Sequence, residues 1–419
     1  MKRISIYTLL AALVFFGLIK QSQAQQTISD SLALTIQNLE ADHDNTKTDI
    51  ELIKRLRVSG YIQAQWQLAD TAGINSVFSG GVFPKASDNR FMIRRGRIKF
   101  TYDYSFSQFV LQLDATEKGV SLKDAYIAIM DPWANFVTLT TGVFDRPFGY
   151  EIGYSSSTRE TPERARVFQS LFPGERDLGA KITLQPRKGT RYDFIKLDAG
   201  LFSGNGINSE FDSHKDFIGH LGIAKTNVSQ TFKYGLGFSY YKGGVFQGSK
   251  FVYNPATLAD GTTTGFAVDS SASNLNDFAK REYMGFDAQA SLQSVIGITT
   301  VRAEYLWGTQ PGSKLINIST STSALLSTDT YNRNFNGGYI YLIQNIGETK
   351  NQLVFKYDWY DPNTKVSGKE IVSKITVDGK SVNTNLNTSD IRFTTLGLGW
   401  NYRFNPQVKF TAYYEFVKN

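Results

Sequence analysis

The spacing of apolar positions along the chain changes period once. Over 27–57, apolar residues recur at Leu32, Ile36, Leu39, Ile50 and Ile53, with His43 and Thr46 at the intervening seam positions. Steps that alternate four and three predict an amphipathic helix or a short coiled coil. The polar middle of the seam leaves a flexible tail as the other reading.

From Val58 onward the period is two. In 231–241, Phe232, Tyr234, Leu236, Phe238 and Tyr240 share one face, and Thr231, Lys233, Gly235, Gly237 and Ser239 share the other. In 350–360, Leu353, Phe355, Tyr357 and Trp359 oppose Gln352, Val354, Lys356 and Asp358. In 407–416, Val408, Phe410, Ala412, Tyr414 and Phe416 oppose Gln407, Lys409, Thr411, Tyr413 and Glu415. Leu396, Leu398, Trp400, Tyr402 and Phe404 form one face of 391–404, with aromatics gathering at its end.

Soluble sandwiches alternate too. Three features favour a membrane barrel instead. The predicted strands run to about ten residues, the length a tilted spanning strand needs. Aromatics collect at strand ends, as interfacial girdles do. The connections alternate short and long: tight at 131–133, 186–189, 227–229 and 405–406, extended at 68–90, 144–176, 242–282, 308–334 and 361–390. Short turns at one end and long loops at the other define an outer-membrane barrel.

The pattern predicts fifteen strands: 58–67, 91–103, 107–116, 121–130, 134–143, 177–186, 191–201, 216–226, 231–241, 283–293, 297–307, 335–345, 350–360, 391–403 and 407–416. Single-chain bacterial barrels take an even number. The expected fold is an all-β transmembrane antiparallel barrel designed for about sixteen strands, the last missing after Asn419. A hairpin inside 242–282 or at 366–379 would add two strands and leave the parity unrepaired.

Residues 1–24 read as a cleaved secretory signal, with Lys2 and Arg3, an apolar run over 9–19 and Ser22-Gln23-Ala24 as the cleavage site. The run is too short to span a bilayer. The expected organisation is therefore 1–24 signal, 25–57 periplasmic helical segment, and 58–419 barrel. Losing Lys2, Arg3 and Lys20 leaves 42 basic against 38 acidic residues and lowers the net charge from +7 to +4. That excess is too small to argue for nucleic acid. A mean hydropathy of −0.27 fits a sheet with one face in lipid and one in water. With Cys 0 and His 3, disulfides, thiol nucleophiles and Cys-ligated zinc are excluded. His43, His214 and His220 stand in no nucleophile context, so no enzyme activity is expected. Asp260, Asp269 and Asp277 are too scattered to argue for calcium, and no metal or cofactor is expected.

Several segments resemble the phosphate-selective porin O and P family. They are RFMIRRGRIKF at 90–100, TGVFDRPFGYE at 141–151 followed by three serines at 155–157, TPER at 161–164, and GERDLG at 174–179. The likeness covers most of 58–416 and is to the branch with an N-terminal helical segment. It implies a trimeric outer-membrane pore of a Gram-negative cell, with an inward-folded third loop, passing small hydrophilic solutes with a bias to anions such as phosphate. Arg95, Arg97 and Lys99 share the lumenal face of one strand about 7 Å apart. Such a row of cations makes a pore favour anions. The loop 144–176 adds Arg159, Arg164, Arg166 and Arg176, and Lys181 follows on the next strand. Acids such as Asp114 and Asp124 on neighbouring strands, and Asp145, Glu151, Glu160, Glu163 and Glu175 in the loop, offer neutralising partners. Three functional readings stay open: an anion-biased porin, a non-selective diffusion porin, and a non-conducting barrel serving as adhesin or scaffold through its long loops.

Overall fold

The computed structural model describes residues 4–74, 81–315, 324–325, 327–366 and 371–419. Parts of the predicted connections 68–90, 308–334 and 361–390, and of the candidate hairpin at 366–379, lie outside them. The chain divides into two units, Met1–Arg57 and Val58–Asn419. The first contains one long helix, α1 (Ile4–Lys54). Its seam residues Leu32, Ile36, Leu39, Ile50 and Ile53 are exposed. Among the described residues no helix is long and apolar enough to cross a membrane.

The second unit is a meander of fifteen long strands. They are β1 (Leu56–Leu68), β2 (Asn89–Tyr104), β3 (Ser107–Thr116), β4 (Gly119–Met130), β5 (Val137–Asp145), β6 (Arg176–Leu184), β7 (Ile195–Phe202), β8 (Asp216–Thr226), β9 (Phe232–Gln247), β10 (Phe278–Ser294), β11 (Gly297–Gly312), β12 (Thr330–Asn345), β13 (Asn351–Asp361), β14 (Phe393–Arg403) and β15 (Lys409–Lys418). Each pairs with the next. From β2 to β15 every ladder between successive strands of the meander is antiparallel. Among the described residues no pairing joins β1 to β15, so the sheet has two edges. Two short hairpins lie in the long connections, one inside 242–282 and one that only overlaps the candidate at 366–379. One pairs Val252–Thr257 with Thr264–Asp269, and the other pairs Lys374–Val377 with Lys380–Asn383. They are features of the long connections and do not lengthen the meander.

Alternation sets the two faces. Leu353, Phe355 and Leu398 point outward and are exposed, while Gln352, Val354, Lys356 and Asp358 are buried inside. Trp307 stacks on Phe286 (5.7 Å) and Tyr305 (5.5 Å), and Tyr305 reaches Trp359 on β13 (6.1 Å), so an aromatic row crosses several strands. Amphipathic rings at that level suit a membrane interface. The short turns are closed by side chains that take the place of ladder bonds. Asp131 accepts from the backbone N–H of Ala134, Asn135, Phe136 and Val137 at 2.6–3.1 Å. Those donors, led by Val137 and Phe136, pull its carboxyl down to about 2.

The main core lies between the β5–β6 connection and the inner wall. Phe148, Ile152, Val167, Phe168, Leu171 and Phe172 pack against Tyr241, Tyr283, Leu306, Phe335 and Tyr339. A second, smaller cluster joins Phe266, Tyr331, Val366 and Leu386, with Tyr253 stacked on Tyr331 at 4.3 Å. It consolidates the long connections.

Candidate constriction site

The β5–β6 connection leaves the wall at Arg146 and returns at Glu175. Its apolar residues explain the inward course: Phe148, Val167, Phe168 and Phe172 have no other apolar surface to cover. The short helix α2 (Arg166–Leu171) presses nearly all its side chains into the core. Glu151 fixes the middle of the loop. Its N–H donates to Glu304 Oε1 on β11 (2.6 Å), and its carboxylate accepts from Tyr341 OH (3.1 Å) and Ala165 N–H (3.1 Å).

The predicted cations fall into an ionic network. Arg95, only 3% exposed, donates to Gln63 Oε1 (2.8 Å), Pro162 O (3.1 Å) and Glu163 Oε2 (2.9 Å). Arg94 engages the same carboxylate. Arg97 pairs with Asp114 at 3.1 Å and donates to Ser156 Oγ at 3.0 Å. Arg164 donates to the carbonyls of Glu151, Ile152 and Tyr154 at 2.9–3.1 Å and pairs with Glu175. Arg176 holds Asp124 (2.9 Å), Asp145 (2.9 Å) and Glu175 (2.8 Å) together. Two of the candidates lie outside this cluster. Arg166 bonds Thr395 Oγ1 and faces Asp358 at 4.0 Å. Lys181 pairs with Asp198 at 3.3 Å.

Lys99 and Arg159 differ from the rest. Lys99 is half-buried and has no ion pair among the described residues. Arg159 is buried, donates to the carbonyls of Thr161 (3.3 Å) and Pro162 (3.1 Å), and has no ion pair among the described residues. Burial, with Arg164 and Arg95 nearby, lowers its guanidinium to about 10.

Four further lumenal cations belong to the set: Lys123 on Glu175 (2.7 Å), Arg302 on Glu160 (2.8 Å), Lys356 on Asp358 (3.0 Å) and Glu415 (2.9 Å), and Lys409 on the Arg159 carbonyl (2.6 Å). Lys356 and Lys409 already stood on polar faces in the alternation. Counting every cation on those faces, and not only the arginine-rich motif, would have found them.

Burial alone would raise Glu163, but the Arg95 and Arg94 guanidiniums more than offset it and hold the carboxyl at about 2. Because the folded value lies below the ordinary one, the stabilisation is present above about pH 4.3 and is lost as pH falls towards 2. It amounts to about 3 kcal/mol. The thermal midpoint should therefore drop between those pH values. Glu163→Gln should lower the midpoint at pH 7 and flatten the acid limb; a parallel acid limb in wild type and variant would show that Glu163 does not carry it.

No family model and no curated protein matches the sequence. Solved structures do. OprB of Pseudomonas putida aligns over 90% of this chain and 92% of its own, at 10% identity and a TM-score of 0.53. The outer-membrane channel DcaP of Acinetobacter baumannii covers 86% and 90% at 10% identity, with a TM-score of 0.47. OmpT of Vibrio cholerae covers 87% of each chain at 12% identity, with a TM-score of 0.45. The OprB alignment carries the fold; the other two, below 0.5, add nothing to it. The fold is thus a transmembrane antiparallel β-barrel of the outer-membrane kind, with an inward loop and a charged lumen.

Proposed function

We propose that this chain is a passive outer-membrane porin for small hydrophilic solutes, related to the phosphate-selective porin O and P family. In that reading 1–24 is removed on export, the barrel sits in the outer membrane of a Gram-negative cell, and three copies assemble. The observation that carries it is a loop folded inside a barrel whose inner wall is lined with charge. Such a lining is expensive in a sealed lumen and useful in a wet one.

The anion bias rests on a narrower base than the arginine row. Carboxylates face most of the candidate cations, and paired charges leave little net field. Lys99 is the member of the row without an ion pair among the described residues. Arg95 and Arg97 act by covering Glu163 and Asp114. Replacing both with Ala would leave Asp114 without its cation and Glu163 with Arg94 alone, so the anion-to-cation permeability ratio should fall in planar-bilayer recordings under a salt gradient. An unchanged ratio would reject the row as a selectivity element, and a wild-type cation preference would reject the anion assignment.

The aromatic cluster that ties the long connections together favours a second reading, in which the ordered external surface is a scaffold or adhesin. Absence of single-channel conductance in a correctly folded preparation would decide for it.

A further inference from the structure

The short-turn end of the barrel carries a patch that the lumen does not explain. Trp133 stands 86% exposed in the β4–β5 turn, and Tyr192 and Val228 are exposed in the β6–β7 and β8–β9 turns. Four exposed cations lie among them: Arg187, Lys188, Arg191 and Lys225. Contacts join these turns into one surface. Arg187 donates to the Trp133 carbonyl at 3.2 Å. Lys225 sits 4.0 Å from the centre of the Phe194 ring, and Arg191 lies 5.5 Å from the Tyr192 ring.

The acids of the same turns are engaged by the backbone. Asp131 accepts from four N–H groups, and Asp193 accepts from Gly189 N–H at 2.7 Å. Among the described residues none of the four cations has an ion pair, whereas most of the lumenal cations do. Exposed rings beside uncompensated cations fit an anionic lipid surface, which takes the rings between its headgroups and the charges on its phosphates.

Strand geometry brings that surface within reach. The outward aromatic face of β9 runs from Phe232 to Tyr240, beyond which Lys242 ends it. That interval is about 26 Å of strand. A tilt of about 40° leaves about 20 Å along the membrane normal, short of the ~25 Å apolar band of such barrels. A wall shorter than the band draws its flanking residues towards the headgroups. Lys225 fits that placement, because it stands opposite Tyr234 in the β8–β9 ladder, and Tyr234 stacks on Phe232 at 5.8 Å.

We propose that Trp133, Tyr192, Arg187, Lys188, Arg191 and Lys225 form a binding patch for anionic phospholipid, with the rings at headgroup level and the cations on the lipid phosphates. The inference rests on the outer-membrane barrel proposed above, whose short turns face the periplasmic leaflet, and not on conduction.

Trp133 is the reporter. The full barrel is folded into phosphatidylcholine vesicles that contain, at equal mole fraction, either brominated phosphatidylcholine or brominated phosphatidylglycerol. The Trp133 signal is the difference between wild type and Trp133→Phe. Both lipids should quench it, and the anionic one should do so about five-fold more effectively, the effect of one well-placed cation. In the triple variant Lys188→Gln, Arg191→Gln, Lys225→Gln the two lipids should quench alike, with quenching by brominated phosphatidylcholine as in wild type. Arg187 is kept because it ties the turns together. Lys188→Arg with Lys225→Arg should retain the preference. Equal quenching in wild type, or a preference that survives the triple variant, overturns the proposal. So does an absence of quenching by either lipid, which would put the turns in water. If the triple variant does not fold, Lys225→Gln alone should weaken the preference, and an unchanged value overturns the patch. Conductance read on the same preparations separates the two readings: a conducting barrel without lipid preference rejects the patch alone, and a preference without conductance supports the patch while rejecting the porin.

Discussion

Arg176→Met should unfold at markedly lower denaturant than wild type, with a loss of about 3–5 kcal/mol in equilibrium unfolding from lipid vesicles. The Arg176 guanidinium sits where β6 begins and serves three carboxylates at once: Asp124 on β4, Asp145 at the end of β5, and Glu175 at the end of the loop. All lie in the same largely buried node. Methionine would fill much of the same volume, so the loss is electrostatic and not a cavity. Lys123 and Arg164 would still cover Glu175, but no other ion pair among the described residues reaches Asp124 or Asp145. The buried Asp124 and the partly exposed Asp145 would then lack a counter-charge, which is the costly way to break such a site. Two controls sharpen the result. Lysine at 176 should recover only part of the loss, since one ammonium cannot serve three acceptors in the planar geometry of guanidinium. Lowering the pH should narrow the gap between Arg176→Met and wild type, because protonation removes the uncompensated charge. A loss under about 1 kcal/mol would mean that water reaches the node and that the loop is not closed against the wall there.

Much of the barrel could be read from residue order, and the reasons are local. Leu353 and Lys356 take opposite faces because successive side chains in a strand do, and no distant contact is needed to know it. Tight turns announce themselves through Asp131-Pro132 and Asn405-Pro406, whose side chains and rings favour reversal. Residues 27–54 are helical, in a helix that begins well before them. The ionic network was harder. Glu163 meets Arg94 and Arg95 across 69 and 68 residues of sequence, and that match depends on how deep the loop lies against the wall. Arg94 illustrates the limit. Alternation puts it on the face opposite Arg95, yet both reach Glu163, a meeting that a period of two does not foretell. The acids of the loop, counted as possible neutralisers, proved to be its fasteners.

The arrangement also separates two roles that a row of arginines suggests are one. Arg95 and Arg97 join the loop to the wall, while Lys99 is left to face the lumen. A cation that bonds a carboxylate and a carbonyl at the same time fixes geometry; one without such partners contributes field. Changing the arginines therefore alters the loop's seat and the field together, because it also uncovers acids, whereas Lys99 can be changed without touching the loop's fasteners.

The other large effect is expected at Gly149. This residue has φ +65° in the bend by which the loop enters the lumen. A Cβ there would overlap Glu304 Oε2 and come within 3.4 Å of the Phe168 ring. Neither neighbour can move away cheaply. Glu304 accepts from the Glu151 N–H and the Tyr339 hydroxyl, and Phe168 is packed at 5.9 Å from Phe172 and 6.1 Å from Tyr339. Gly149→Val therefore combines a left-handed backbone, costing about 1–2 kcal/mol for a residue with a Cβ, with overpacking worth about 1–3 kcal/mol. The wall strand β11 is held on both sides by long ladders, so the loop should yield first. The expected protein is a folded barrel whose loop has left its seat. It should show larger and noisier single-channel conductance, faster proteolysis within 149–165, and a lowered thermal midpoint. Gly149→Ala should show the same changes to a smaller degree, because alanine carries the clash without β-branching. Conductance and proteolysis matching wild type in Gly149→Val would mean that the loop is not seated on Glu304, and the constriction would then have to be sought elsewhere in the lumen.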